Sequence, residues 1–136
     1  MNKILVDTNV LIYSIDEDSK YFDSAQKIFS EELELYTTSK NLSEFLTVVT
    51  RFSQNSLSLK EALLVIEDFI NTMTILYPTK ETFLVFRDLL KKYQPVGLQI
   101  HDYEILSIGL ANQIDTVATF NEKDFKKVKD AKLYVL

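Results

Sequence analysis

Asp7, Glu44, Asp102, Asn121 and Asp124 are the side chains whose types and positions could do chemistry together. All five offer oxygen donors. The chain has no cysteine and a single histidine, His101, so thiolate sites, cysteine nucleophiles and multi-histidine metal sites are excluded. Oxygen donors alone select hard cations, Mg²⁺ or Mn²⁺. Clustered carboxylates repel one another, and a divalent ion removes that repulsion while lowering the pKa of a water and stabilising charge on a phosphoryl oxygen. Metal-assisted hydrolysis of a phosphodiester requires those two effects.

Each residue also has a plainer role. Asp7 is a favoured type for a helix N-cap, Glu44 can pair with the neighbouring Lys40, Asp102 can complement a helix dipole, and Asn121 with Asp124 can make an ordinary turn and cap. What weighs against four separate plain roles is the arrangement of the elements. Residues 3–7 form an apolar run ending in Asp7, read as a buried strand, with Thr8 or Asn9 capping a helix over 8–15. A helix over 19–33 carries Phe22, Ala25, Ile28, Phe29 and Leu33 on one face. A second strand is expected at 35–38 and a helix at 40–53. Ser58 and Glu61 form a capping box ahead of the clearest amphipathic helix, followed by strand 74–77 and helices at 79–93 and 101–113. Residues 116–119 and 133–136 complete the strands.

Short apolar strands between long amphipathic helices predict an α/β protein: a three-layer α/β/α sandwich with a mainly parallel sheet of about five strands. In such a sheet the ligand site lies outside the carboxyl ends of the strands, where strand order reverses. Asp7 and Thr119 end strands, while Glu44 and Asp102 open helices. Asp102 shares its helical face with Ile105, Leu106 and Gly109, where an unsatisfied carboxylate is costly; Gly109 would let that helix approach the sheet closely.

With 136 residues, 46% hydrophobic and 26% charged, the chain suits one domain over 1–136 and is not disordered. No apolar run reaches membrane-spanning length, so no membrane partner is expected and the cytoplasm is the expected compartment. A net charge of −5 argues against non-specific coating of duplex nucleic acid. Five lysines in 121–132 nevertheless give the acidic chain a basic end, which is either a solvated face or a phosphate-binding surface.

The order and spacing of these segments resemble the PIN-domain ribonucleases, in particular VapC-like toxins of toxin–antitoxin pairs. Ile4-Leu-Val-Asp7-Thr-Asn9-Val-Leu-Ile12 is similar to the family's first motif, Asn41-Leu-Ser-Glu44 to the second, His101-Asp102 to the third, and Thr119-x-Asn121-x-x-Asp124-Phe125 to the fourth. The resemblance spans essentially the whole chain. It implies cleavage of RNA with one or two Mg²⁺ or Mn²⁺ ions, and a toxin that forms a homodimer and is held by an antitoxin protein. Carried over, Asp7, Glu44 and Asp102 would be the principal metal carboxylates, with Asp102 or Glu44 orienting the attacking water. Asn9 and Thr119 would be polar supports, and Asn121 and Asp124 would share the fourth locus. Asn121 stands where other members have Asp, Phe120 where many have a basic residue, and Tyr103 where a small residue is common. Lys20, Lys40, Arg51, Arg87, Lys123 and Lys126 are candidates for RNA phosphate contacts, and the helices at 19–33 and 58–73 for docking of a protein partner.

Two other enzyme readings are weaker. A haloacid-dehalogenase-type phosphatase needs an Asp two residues after its nucleophile, where this chain has Asn9, and a phospho-receiver domain needs paired acids where this chain has Val6-Asp7. The stronger rival is a catalytically weak PIN-like module that binds RNA or protein, an idea prompted by Asn121.

Overall fold

Every strand of the sheet runs parallel to its neighbours, in the order β3-β2-β1-β4-β5. The structure is a computed structural model that describes residues 2–52 and 55–136. Along the chain come β1 (Asn2–Val6), α1 (Thr8–Tyr13), α2 (Phe22–Lys27), β2 (Leu33–Thr38), α3 (Ser39–Val49), α4 (Leu59–Thr72), β3 (Thr74–Leu76), α5 (Lys80–Tyr93), α6 (Gln99–Ala111), β4 (Thr116–Ala118), α7 (Glu122–Lys126) and β5 (Lys132–Leu133).

The central strand explains the layering. Ile4, Leu5 and Val6 are all at most 2% exposed, so β1 is covered on both faces as parallel strands require. Ile4 and Val6 pack with Val10, Ala25, Phe45 and Ile66 of α1 to α4, while Leu5 packs with Leu89, Leu106 and Phe125 of α5 to α7. Successive strand residues point to opposite faces, so the two cores lie on either side of the sheet. This is the expected three-layer sandwich. Burying each of these large aliphatic side chains contributes about 1.5–3 kcal/mol.

β1 pairs with β2 on one side (Ile4 with Leu35, Leu5 with Tyr36) and with β4 on the other (Leu5 with Val117, Val6 with Ala118). Strand order therefore reverses at the β1/β4 junction, where Asp7 follows β1 and Thr119 follows β4. The Asp7 amide donates to the Ala118 carbonyl at 3.0 Å and fixes these two strand ends against each other. Gly109 is needed for the close approach of α6. A Cβ there would stand 2.9 Å from a Leu5 methyl and 3.2 Å from the Ile114 carbonyl oxygen.

Several boundaries differ from expectation. The helix read over 19–33 is a turn through 16–21, the short α2 and a 3₁₀ turn at Ile28–Ser30; Leu33 belongs to β2 and pairs with Asn2. Its apolar periodicity is real, since Ala25 and Ile28 are buried, but pairing with the central strand β1 claims the chain from Leu33 onward. The strand expected over 133–136 is the two-residue β5, and α7, not singled out in advance, fills the connection before it. The capping box of Ser58 and Glu61 forms as expected, with reciprocal bonds of 3.0 and 3.1 Å. The helix expected over 40–53 ends at Val49; positions 53 and 54 lie outside the described residues.

Candidate metal and phosphodiester site

Asp7 anchors the site. It is 6% exposed, and it is itself the N-cap of α1, so neither Thr8 nor Asn9 takes that place. Its Oδ1 accepts the Thr8 amide at 2.9 Å and the Asn41 amide group at 3.5 Å; its Oδ2 accepts the Thr119 hydroxyl at 2.8 Å and Asn9 Nδ2 at 3.4 Å. Capping alone does not exclude a functional role, because the cap bond uses one lone pair and orients the rest of the group. Burial raises its pKa, the Thr119 and Thr8 bonds pull against that rise, and the charges of Glu44 and Asp124 push in the same direction as burial.

Asn9 and Thr119 hold one another across the β1/β4 junction. Asn9 Nδ2 donates to Thr119 Oγ1 at 3.1 Å, Asn9 Oδ1 accepts the Phe120 amide at 3.0 Å, and the Asn121 amide donates to Thr119 Oγ1 at 3.0 Å. Asn41 is a component that the acid-centred sequence reading did not single out. It is fully buried at the third position of α3, closing a capping box with Thr38, and its Nδ2 donates to Thr8 Oγ1 at 2.9 Å. The available signal was Asn placed three residues after Thr38, the strand-ending threonine: an amide can complete a cap and still reach a neighbouring strand end.

Asp102 is half-buried in the first turn of α6, on the face that buries Ile105, Leu106 and Gly109. Its pKa rises from the usual 3.8 to about 7. Burial is the main cause, followed by the charges of Asp7, Asp124 and Glu44. The four carboxylates named from the sequence thus sense one another at one edge of the sheet. Glu44 is exposed in the second turn of α3 and does not pair with Lys40; Lys40 instead reaches Glu104 of α6 at 2.9 Å. Asp124 lies in α7, where Asn121 Nδ2 donates to its Oδ2. Asn121 occupies the N-cap position of α7 but makes no side-chain cap bond.

The donor chemistry fits a divalent cation. The groups are oxygen-only, none of the four carboxylates forms an ion pair among the described residues, and two have pKa values raised by burial and by like charge. Among the described residues, however, no three acidic or histidine side chains stand close enough together to grip an ion.

The basic candidates divide. Lys123 and Lys126 are exposed on α7, the helix that carries Asp124. Lys40 is held near the acids by its bond to Glu104. Arg51 lies beyond the far end of α3, roughly 10 Å of helix from Glu44, and is not brought to the acids. Arg87 is exposed within α5 beside Asp88, 3.9 Å away. Tyr103 is 2% exposed, and its hydroxyl has no hydrogen-bond partner among the described residues.

A family profile described as PIN domain matches residues 4–131. No curated protein matches the chain by sequence. Among solved structures, the fold is similar to VapBC2 from Rickettsia felis bound to a DNA fragment from its promoter, with a TM-score of 0.71, 18% identity and 97% coverage of both chains. It is similar also to DNA-bound VapBC from Salmonella typhimurium, with a TM-score of 0.69, 21% identity and 98% coverage of both chains. VapC20 from Mycobacterium tuberculosis, described as a sarcin–ricin loop cleaving toxin, matches with a TM-score of 0.72 and 12% identity over 92% of this chain and 95% of its own.

Proposed function

The chain belongs to the PIN-domain family, and from that premise we propose that it is a Mg²⁺- or Mn²⁺-dependent ribonuclease, a single domain acting as the toxin of a toxin–antitoxin pair. The observation that carries the reading is the convergence of Asp7, Glu44, Asp102 and Asp124 at the strand-order reversal, with Asp102 pushed to about 7 by burial and by the other three. In this reading Asp7, Glu44, Asp102 and Asp124 hold the cation, with the Asn121 amide oxygen as a neutral donor. When bound, Mg²⁺ or Mn²⁺ supplies positive charge to phosphoryl oxygens and makes a water more acidic.

The protein's own contribution is orientation. Thr8, Asn9, Asn41 and Thr119 fix the Asp7 carboxylate from both of its oxygens. A carboxylate so held keeps its lone pairs aimed without reorganising during reaction. Asp102 or Glu44 would orient the attacking water. Lys123 and Lys126 on α7 are placed to contact RNA phosphates, and Lys40 would do so by exchanging Glu104 for a phosphate.

The partners follow with coarser support. Solved relatives are VapBC toxin–antitoxin complexes. α4 exposes Leu59, Leu63, Leu64 and Ile70, apolar surface suited to a protein contact, whether with an antitoxin or a second copy. The apolar residues Ala25 and Ile28 after the 16–21 turn are used by the core instead. Among the described residues no helix is long and apolar enough to cross a membrane, and we place the protein in the cytoplasm. The second reading, a PIN-like module that binds RNA or protein without efficient cleavage, rests on the uncharged Asn121 and the open spacing of the acids.

The deciding experiment is cleavage of a mixed set of structured RNAs by purified protein with Mn²⁺, Mg²⁺ or EDTA, alongside Asp7→Asn. Cuts that require the metal and vanish in Asp7→Asn are expected. Equal cleavage by both proteins would sink the site assignment. Calorimetric absence of metal binding would sink the enzyme and leave the binding module.

A further inference from the structure

Beside the buried carboxylate stand three aromatic rings that the hydrolytic chemistry does not use. Tyr13 ends α1, Tyr21 immediately precedes α2, and Phe120 lies between β4 and α7. Their centroids form a closed triangle: 5.1 Å from Tyr13 to Tyr21, 5.4 Å from Tyr13 to Phe120 and 4.7 Å from Tyr21 to Phe120. All three are half-buried, so each keeps part of its surface in solvent.

This triangle is coupled to the site through the backbone. The Phe120 amide donates to Asn9 Oδ1 at 3.0 Å, and Asn9 Nδ2 bonds both Thr119 Oγ1 and Asp7 Oδ2. The turn between α1 and α2 sets Tyr21. The Ser19 amide donates to the Asp16 carbonyl at 3.0 Å, and Ser19 Oγ accepts the Tyr21 amide at 3.1 Å. Lys20 Nζ lies 5.0 Å from the centre of the Tyr21 ring. Neither the Tyr13 nor the Tyr21 hydroxyl has a hydrogen-bond partner among the described residues. Tyr13 and Phe120 also pack against the core and Lys20 lies over the Tyr21 ring, so what the three rings keep in solvent is a partial aromatic surface with an ammonium above it, which suits a planar ligand.

Charge narrows the ligand further. In the chain the rings are flanked by the acids of the site, Asp7 and Asp124, and by Asp16, Glu17 and Asp18 of the turn. A phosphate is repelled between two acidic segments, whereas a neutral nucleobase is not. Base stacking on aromatic side chains is sequence-tolerant and requires an unpaired nucleotide.

Resting on the ribonuclease reading, we infer that Tyr13, Tyr21 and Phe120 form a stacking subsite for an unpaired base next to the scissile phosphate, with Lys20 over the Tyr21 ring. The base is held, not chemically altered, and the three rings position the substrate.

The test uses the full chain as wild type, Phe120→Leu, Tyr21→Leu and Phe120→Tyr, with melting curves to show that each is folded. An RNA cut by wild type is remade with an abasic nucleotide at each position flanking the cut. Wild type should show a KM about tenfold or more higher for one abasic substrate, with a much smaller change in kcat. Phe120→Leu and Tyr21→Leu should show that higher KM on intact RNA and lose the distinction between the two substrates, and Phe120→Tyr should restore it. Equal KM for intact and abasic RNA in wild type, or unchanged discrimination in both leucine variants, overturns the subsite while leaving the ribonuclease intact. If wild type cuts no RNA, the ribonuclease reading fails on its own. Quenching of 2-aminopurine in a single-stranded RNA then decides the subsite: loss of quenching in the leucine variants supports it, and no quenching by wild type overturns it. With no tryptophan in the chain, the probe's fluorescence is read without overlap from that residue.

Discussion

Asp102 and Asp130 are the same side chain treated in opposite ways. Asp130 accepts the Tyr93 hydroxyl at 2.7 Å and Lys92 Nζ at 3.1 Å, and these two bonds hold its carboxyl below the usual range. The Tyr93 oxygen in turn accepts the Lys129 amide at 3.0 Å, so the carboxylate, the phenol and the loop before β5 form a satisfied knot. Among the described residues Asp102 has no such donors; it is half-buried among like charges, and its carboxyl rises to about 7. A carboxylate that serves the fold is given partners by the fold. One left short of partners at a strand-order reversal is placed to acquire them from outside, as a cation or substrate would supply them.

The largest test of this contrast is Asp102→Asn. Metal-dependent cleavage should fall at least about a hundredfold. The metal-free melting temperature above pH 7 should be unchanged or higher, because a neutral amide removes charge repulsion. A variant that melts much lower and cleaves normally would show Asp102 to be structural.

The next effect is in pH. Asp102 and Asp7 bind their protons more tightly in the folded protein than in the unfolded chain. Their contribution to stability is therefore fully present below about 3.8 and is lost as pH rises through the value near 7 for Asp102. Asp130 works the other way: its contribution is present above 3.8 and lost as pH falls through its lowered value. Melting curves in EDTA should decline from pH 5 to 8, and Mn²⁺ should flatten or reverse the decline by binding the ionised carboxylates. An identical pH profile with and without Mn²⁺ would break the comparison.

The smallest effect belongs to Asp130→Asn. Asp130 and Lys92 are both substantially solvent-exposed, so the loss should be no more than about 1 kcal/mol in chemical denaturation, with cleavage unchanged. A loss of cleavage would place this corner in the site and erase the distinction.

How far the sequence alone reached differs from element to element. The run Ile4-Leu-Val ahead of Asp7 was legible as a strand because a strand buried on both faces is apolar without alternation, and the Ser58/Glu61 box marked α4 because capping is a local bond pattern. The segment around Leu33 was misread because helical periodicity does not record that pairing with Asn2 will claim the chain. Asp7, Glu44, Asp102 and Asp124 were legible as candidates, each at the end of a strand or the start of a helix. Their mutual influence was not, since it depends on α3, α6 and α7 beginning at one edge of a single sheet. Asn41 was missed because its value lies in bonds to Thr8 and Asp7, more than thirty positions away in the chain.

The amino-acid sequence by itself determined the periodicities, the caps, the oxygen-only donor set and the family to which the chain belongs, because these follow from local bonding and residue type. Only the tertiary structure decided that Asp7 is held from both oxygens, that Lys40 turns to Glu104, and that Tyr13, Tyr21 and Phe120 meet beside the acids. Those are distances between residues remote in the chain, and they are set when β1 pairs with β2 and β4 and the helices close over both faces.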